Sequence, residues 1–264
     1  MNSFKIIFIA FILNNFVACS PQKHPGAAED VYEKLPKNLV SLLQSHGGLE
    51  KWRSFGTLEY DLFNLKDSLT EHHAIDLRNR KDLIVADSFK IGFDGKEVWV
   101  SPERKAFKGK SARFYHNLFF YFFSIPYVLA DPGINYREDT VTLNDKTYPA
   151  IRATFDAGIG DADKDAYRIV IDPETNKLYG LLYTVTYFSG EAHKNYNFLK
   201  YEDWQEAGGL QFPGKLTGYK FSNGIVGEER YKVLFSNIRL NTDTPVETLF
   251  AMPDKAEVDS LIKR

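Results

Sequence analysis

A mainly β fold with a few helices, an antiparallel sandwich or barrel, is predicted by three observations. Runs rich in Val, Ile, Leu, Tyr and Phe recur from residue 57 to residue 240. Turn chemistry separates them at short intervals: Asp94-Gly95, Asn144-Asp145, Asp172-Pro173, Gly208-Gly209 and Ser222-Asn223-Gly224. With 21 Phe and 15 Tyr, the chain carries enough apolar surface to be held by packing.

The elements follow in order. Leu35, Leu39, Leu42 and Leu43 repeat at helical spacing, which predicts a helix over 35–44. His46-Gly47-Gly48 ends it, with a glycine suited to a left-handed cap. Leu49 to Trp52 reads as a short second turn with Trp52 inward. Strands are predicted over 57–63 and 72–78, in a hairpin over 90–100, and over 137–143, 148–155, 167–171, 177–188, 196–204, 211–221 and 229–240. The segment 111–130 breaks the series. It reads as a helix that Pro126 ends or kinks, and Asp131-Pro132-Gly133 then turns the chain. Within it Leu118–Phe123 is apolar nearly all round, so it must be buried on more than one side or face an apolar guest.

The amino terminus has the order of a secretory signal: Lys5, an apolar run from Ile6 to Leu13, then Phe16-Val17-Ala18-Cys19. The run is far shorter than the roughly 20 residues of a spanning helix. Ala18-Cys19 looks like a lipobox, although Phe16 stands where Leu is usual. The expectation is a signal peptide over 1–18 and lipidation of Cys19, which is the single cysteine of the chain. An ordinary signal with a cysteine there by chance is the alternative. Residues 19–34, polar and containing Pro and Gly, read as a flexible tether, and residues 35–264 as one folded domain. Ser20, in place of the Asp that retains some lipoproteins at the inner membrane, favours the outer membrane of the cell envelope.

Little in the sequence points to catalysis. There is no Gly-x-Ser-x-Gly elbow, His-Glu-x-x-His or phosphate-binding glycine loop. One cysteine excludes internal disulfides, and its lipidation removes it as a nucleophile. His72 and His73 are neighbours on a strand and face apart, so one metal is not expected to use both. The histidines are read as surface residues. Asp161, Asp163 and Asp165 alternate as in a calcium loop, but Ala166 stands where that loop needs Gly and Asp172 where it needs Glu. They are read as an acidic hairpin tip. No metal, cofactor or enzymatic activity is expected. The formal charge of −2 gives no support to nucleic acid as a partner.

Several phrases resemble an uncharacterised family of Gram-negative envelope lipoproteins that is similar to the LolA/LolB-type lipoprotein carriers. They are His46-Gly47-Gly48-Leu49-Glu50-Lys51-Trp52, Phe120 to Phe123 with Leu129 to Gly133, Ile171 to Thr175, and Tyr201-Glu202-Asp203-Trp204 with Gly209, Leu210 and Pro213. The resemblance implies a strongly curved antiparallel sheet, an incomplete barrel closed by helices, whose apolar hollow holds acyl chains. Phe119, Phe120, Phe122, Phe123 and Tyr127 would then line or gate the hollow, with Trp99 on its wall. The partners implied are a lipid or acylated ligand and, through the anchor, a membrane. A non-catalytic structural lipoprotein with a filled barrel is the alternative.

Overall fold

The computed structural model describes residues 32–260. The expected signal peptide and Cys19 lie outside them, as does the 19–34 segment up to residue 31.

Helix α1 (Lys37–Ser45) buries Leu39, Leu42 and Leu43 on one face. It ends as its sequence directs: the Gly48 N–H donates to the Leu43 carbonyl at 3.0 Å and the Gly47 N–H to that of Gln44 at 3.1 Å. Gly47 sits at φ +108°, and a β-carbon there would lie 2.4 Å from the Gly209 carbonyl oxygen, so this cap admits only glycine. Helix α2 (Leu49–Ser54) follows directly and buries Leu49 and Trp52.

The strands are β1 (Thr57–Asn64), β2 (Leu69–Asp76), β3 (Asp82–Val85), β4 (Lys90–Phe93), β5 (Val98–Ser101), β6 (Ile134–Leu143), β7 (Lys146–Phe155), β8 (Ala166–Ile171), β9 (Leu178–Tyr183), β10 (Asn197–Glu202), β11 (Gln205–Ala207), β12 (Leu210–Phe212), β13 (Lys215–Ser222), β14 (Ile225–Asn241) and β15 (Glu257–Val258). Among the described residues, 13 of them form one antiparallel sheet in the order β15-β5-β4-β3-β2-β1-β14-β13-β10-β9-β8-β7-β6, and β11 and β12 make a separate hairpin. The edge strands β15 and β6 do not pair, so the sheet stays open. This is the mainly β, incomplete-barrel architecture expected.

Strand β14 joins the two halves, with β1 on one side and β13 on the other. Its register against β1 slips between Arg239 and Ser236, where Asn237 adopts φ +53° and its amide donates to Asp61 at 2.6 Å. Such a bulge bends the strand and increases its twist, which curves the sheet at its centre. The two sheet faces carry separate cores. Leu58 and Tyr60 of β1, Ile75 of β2 and Ile84 of β3 lie on the helix-covered face. On the opposite face of the β6–β13 half, Val141, Leu143, Tyr148, Val170, Leu182 and Phe198 form a second cluster. There the β6–β7 tip bonds back to the β13–β14 tip, from the Asn144 N–H to the Gly224 carbonyl at 2.9 Å.

Several expectations are corrected. Segment 111–130 is three pieces: α3 (Ala112–Tyr115), α4 (Leu118–Phe123) and a 3-10 turn, Tyr127–Ala130. Ser111 caps α3, accepting from the Phe114 N–H at 3.2 Å. Bulky rings have modest helix propensity, and here packing onto a curved surface decides where each turn breaks. The expected strand 177–188 stops at Tyr183 because the Thr186 N–H donates to the Asp165 carboxylate at 2.7 Å instead of joining a ladder. The expected strand 211–221 is cut at Pro213-Gly214 into β12 and β13. Strand β3 was not anticipated.

Across the middle of the sheet lies α4. Its Phe123 ring meets Tyr60, Phe235 and Phe212 at centroid distances of 4.4, 4.6 and 4.9 Å and is fully buried. Phe123→Ala is expected to destabilise the protein by about 3–5 kcal/mol, as for other buried aromatics; urea unfolding of the purified variant checks this.

Candidate functional site: an apolar cavity and an arginine cleft

Helix α4 presents two different sides. The 3.6-residue period puts Phe119, Phe120 and Phe123 together and Leu118, Tyr121 and Phe122 together. The first set is core. Phe119 meets Tyr115 and Tyr231, and the Arg80 guanidinium carbon stands 5.4 Å from the Phe120 ring centre. Tyr127 is buried with them, stacked on Trp52 at 4.8 Å. Its hydroxyl donates to the His46 carbonyl at 2.6 Å and accepts from the Gln211 N–H at 3.1 Å.

The second set lines a cavity of about 200 Å³. Phe114 of α3, Val128 and Leu129 of the 3-10 turn, Ile134 of β6, Phe155 of β7 and Tyr167 of β8 complete its apolar wall. It exceeds the ~150 Å³ apolar cavity known to take up benzene, and falls below the ~300 Å³ lower end of ordinary ligand pockets. Of the predicted ligand residues, Phe122 alone lines it; its ring also packs on Tyr183 at 4.8 Å, and its carbonyl accepts from the Tyr201 hydroxyl at 2.8 Å. Trp99 lies on the other face of the sheet. Its indole N–H donates to the Phe250 carbonyl at 3.1 Å and its ring covers Gly92, where a β-carbon would sit 2.2 Å away.

A second cavity, a cleft of about 550 Å³, shares Tyr121, Asp131, Pro132 and Ile159 with the first. Trp52, Arg53 and Phe55 line one side and Leu77, Arg78 and Arg80 another. Arg80 donates to both oxygens of Asp131 at 2.7 and 2.8 Å. Burial pushes the Asp131 carboxyl up from its ordinary pKa, and the Arg80 and Arg53 charges oppose that.

Sequence reasoning missed this cleft. Its arginines come from α2 and the β2–β3 turn, which only the folded sheet brings together. The helical period of 118–123 was the available signal that Phe122 would part from Phe119, Phe120 and Phe123.

The histidines also need correction. Surface placement holds for His72, which pairs with Asp61 at 2.7 Å, but His46, His73 and His116 are buried. As expected for strand neighbours, His73 faces away from His72. It bonds Glu71 at 3.0 Å, and His116 bonds Asp82 at 2.6 Å. Glu71 also accepts from the Tyr115 hydroxyl at 2.9 Å. All four groups are 5% exposed or less, so each histidine and its carboxylate meet as a hydrogen-bonded pair inside the core. The acidic tip is likewise not simply solvated. Asp161 binds Arg113 at 2.7 Å, Asp163 accepts from the Gly158 N–H at 2.8 Å, and Asp165 holds Thr186. Among the described residues no group of His, Cys, Asp or Glu is placed to hold a metal ion.

An open antiparallel sheet plugged on one face by an aromatic helix, with a cavity beside that helix, defines an open half-barrel fold. The chain belongs to the family described as a family of unknown function, DUF6503, whose model matches residues 64–215. Among solved structures it is similar to a LolA superfamily protein from Nitrosomonas europaea, at 12% identity over 77% of this chain and 96% of that one, with a TM-score of 0.44. It is also similar to a DUF1329 family protein from Desulfovibrio piger (9% identity, 77% and 91% coverage, TM-score 0.48). A third is an outer membrane lipoprotein-sorting protein domain from Vibrio parahaemolyticus (11%, 74% and 91%, 0.40). No curated protein sequence gives a significant match.

One titration follows from the packing around Tyr127, whose hydroxyl bonds the His46 carbonyl. Burial lowers the His46 pKa from 6.5 to about 4, against the hydrogen bond of its ring to the Leu42 carbonyl. Its neutral form therefore contributes stability that is full above pH 6.5 and lost as pH falls toward 4, about 3 kcal/mol in all. His46→Gln is expected to flatten this part of the stability curve; urea midpoints at pH 7.5, 5.5 and 4.5 for both proteins measure it.

Proposed function

We propose that the protein is an envelope lipoprotein, anchored through Cys19, that binds the acyl chain of a lipid or acylated ligand in the cavity beside α4. The observation that carries this reading is the cavity itself. Its wall is mostly apolar, with Arg113, Asn117, Asp131, Asp161 and Asp165 as its polar part, and it is of chain-like rather than drug-like volume and bounded by the side of α4 that the sheet does not cover. Burial of a chain segment there contributes about 0.8 kcal/mol per methylene. The anchor, over a tether of residues 19–34, would hold the site within reach of membrane lipid, the outer membrane being favoured by Ser20. Phe119, Phe120, Phe123 and Tyr127 serve the site indirectly in this reading, by fixing α4, while Phe122 touches the guest. Trp99 has no part in it. The protein acts by binding and not by catalysis.

A second reading is favoured by one observation, the close packing of Phe123 and Tyr127 where the hollow was expected. In it the protein is a structural or interaction lipoprotein with a filled barrel, and the small cavity is a packing defect.

The delipidated, purified chain should bind the fluorescent fatty acid cis-parinaric acid saturably, at about one probe per chain. Leu118→Trp, which fills the cavity from a half-buried position, should abolish binding while leaving the urea midpoint near that of the parent. If the parent binds no probe, or if Leu118→Trp binds as the parent does, the filled-barrel reading stands instead.

A further inference from the structure

The cleft next to the cavity has a charge that the acyl reading does not use. Three of its lining residues are arginines and one is a carboxylate, Asp131. Two guanidinium groups reach the corner at residues 130–131 from different elements: Arg53 of α2 donates to the Ala130 carbonyl at 3.2 Å, and Arg80 binds Asp131. Arg78 is braced from a third direction, donating to the Thr244 hydroxyl at 2.8 Å and the Thr242 carbonyl at 3.0 Å. A guanidinium has five N–H donors. Arg53 and Arg78, both exposed, turn one and two of theirs to these uncharged oxygens, and the three guanidinium groups share one lining carboxylate, Asp131, which Arg80 already binds through both oxygens, so the cleft keeps an excess of positive charge.

The turn that carries two of these arginines is held rigidly. The Asp76 carboxylate accepts from the N–H groups of Arg78 and Asn79 at 2.8 and 3.0 Å, and the Arg80 N–H donates to the Asp76 carbonyl at 2.8 Å. Arg80 itself sits at φ +59°, a conformation that Gly or Asn adopts with less strain. Its guanidinium is held between the Phe120 ring and both oxygens of Asp131, a residue that lines both cavities.

From this juxtaposition we infer that the ligand is an anionic amphiphile. Its chain enters the cavity beside α4, past Tyr121 and Pro132, and its carboxylate or phosphate head rests in the cleft on Arg53 and Arg78, with Arg80 at the junction. The inference rests on the acyl-binding reading and adds the sign of the head group to it. Planar guanidinium forks match both carboxylate and phosphate oxygens, so the two heads share one recognition chemistry. Neutral lipids would leave the cationic cleft without a partner, and cationic amphiphiles would be repelled by it.

Displacement of cis-parinaric acid from the full chain tests this with ligands of equal chain length. Palmitate and hexadecyl phosphate should each displace the probe at concentrations about tenfold or more below hexadecanol, the factor expected for one charge-assisted hydrogen bond. Hexadecylamine should be the weakest. The palmitate advantage should shrink as sodium chloride is raised. Arg53→Gln and Arg78→Gln, both exposed substitutions, should each reduce it severalfold and together remove it; because the probe is itself a carboxylate it should bind these variants more weakly, and each competitor's dissociation constant is taken against the probe affinity of the same variant. The preferred head, carboxylate or phosphate, follows from the order of the first two. If palmitate and hexadecanol displace equally, or if the double variant keeps the full palmitate advantage, the head-group inference is overturned and acyl binding survives. If no probe binds the parent chain at all, both readings fall together.

Discussion

The ring of Phe123, wedged among Tyr60, Phe212 and Phe235, is the contact on which the helix-covered face depends. It joins four elements that are remote in sequence: α4, β1, β12 and β14. A curved, open sheet cannot satisfy its inner face by pairing with itself, and its remaining apolar surface must be covered by something inserted. Here the insert is a six-residue helix too short to be stable alone. Its conformation is therefore a product of packing, and the positions of Tyr127, Trp52 and the β11–β12 hairpin follow from it.

Once α4 is fixed in this way, one short helix does two jobs. The side that meets the sheet makes the core. The other side, too far from β6, β7 and β8 to be filled by its own side chains, leaves the cavity. The two readings of the hollow thus share one geometry. The sheet's interior is filled where the filled-barrel reading needs it to be, and space remains where the acyl reading needs it. The arginine cleft adjoins that space through residues 131 and 132, the corner that follows the 3-10 turn.

Much of the fold was legible in the chain. Strands bracketed by Asp-Gly, Asn-Asp, Asp-Pro or Ser-Asn-Gly appear with ends within a few residues of those expected, because turn residues act locally. The α1 cap was legible for the same reason, since a left-handed position selects glycine whatever surrounds it. Strand β3 was not: it is four residues long and begins with Asp82, whose burial makes sense only beside His116. Trp99 shows the same limit. Alternation says that it faces away from its neighbours, not which face α4 will cover. The site was legible only in part. That the run 118–123 is buried on more than one side followed from its composition, but the division between core and cavity depends on the curvature of a sheet formed largely later in the sequence. Arg53, Arg78 and Arg80 had no local signal, for each alone is an ordinary surface arginine.

Strand β14 has a consequence for how the molecule comes into being. It is the bridge between the sheet's two halves, and Thr57 of β1 is paired with Asn241 at its far end. A chain emerging amino-terminus first has made β1 to β5 long before that partner exists. During all of that interval one flank of β1 presents unpaired amide and carbonyl groups, the kind of edge along which chains associate with one another. The two halves can therefore be joined only after the carboxy-terminal third has appeared. Pairings of such long range favour slow folding, and this chain must be kept from its own copies until nearly its last strand is available.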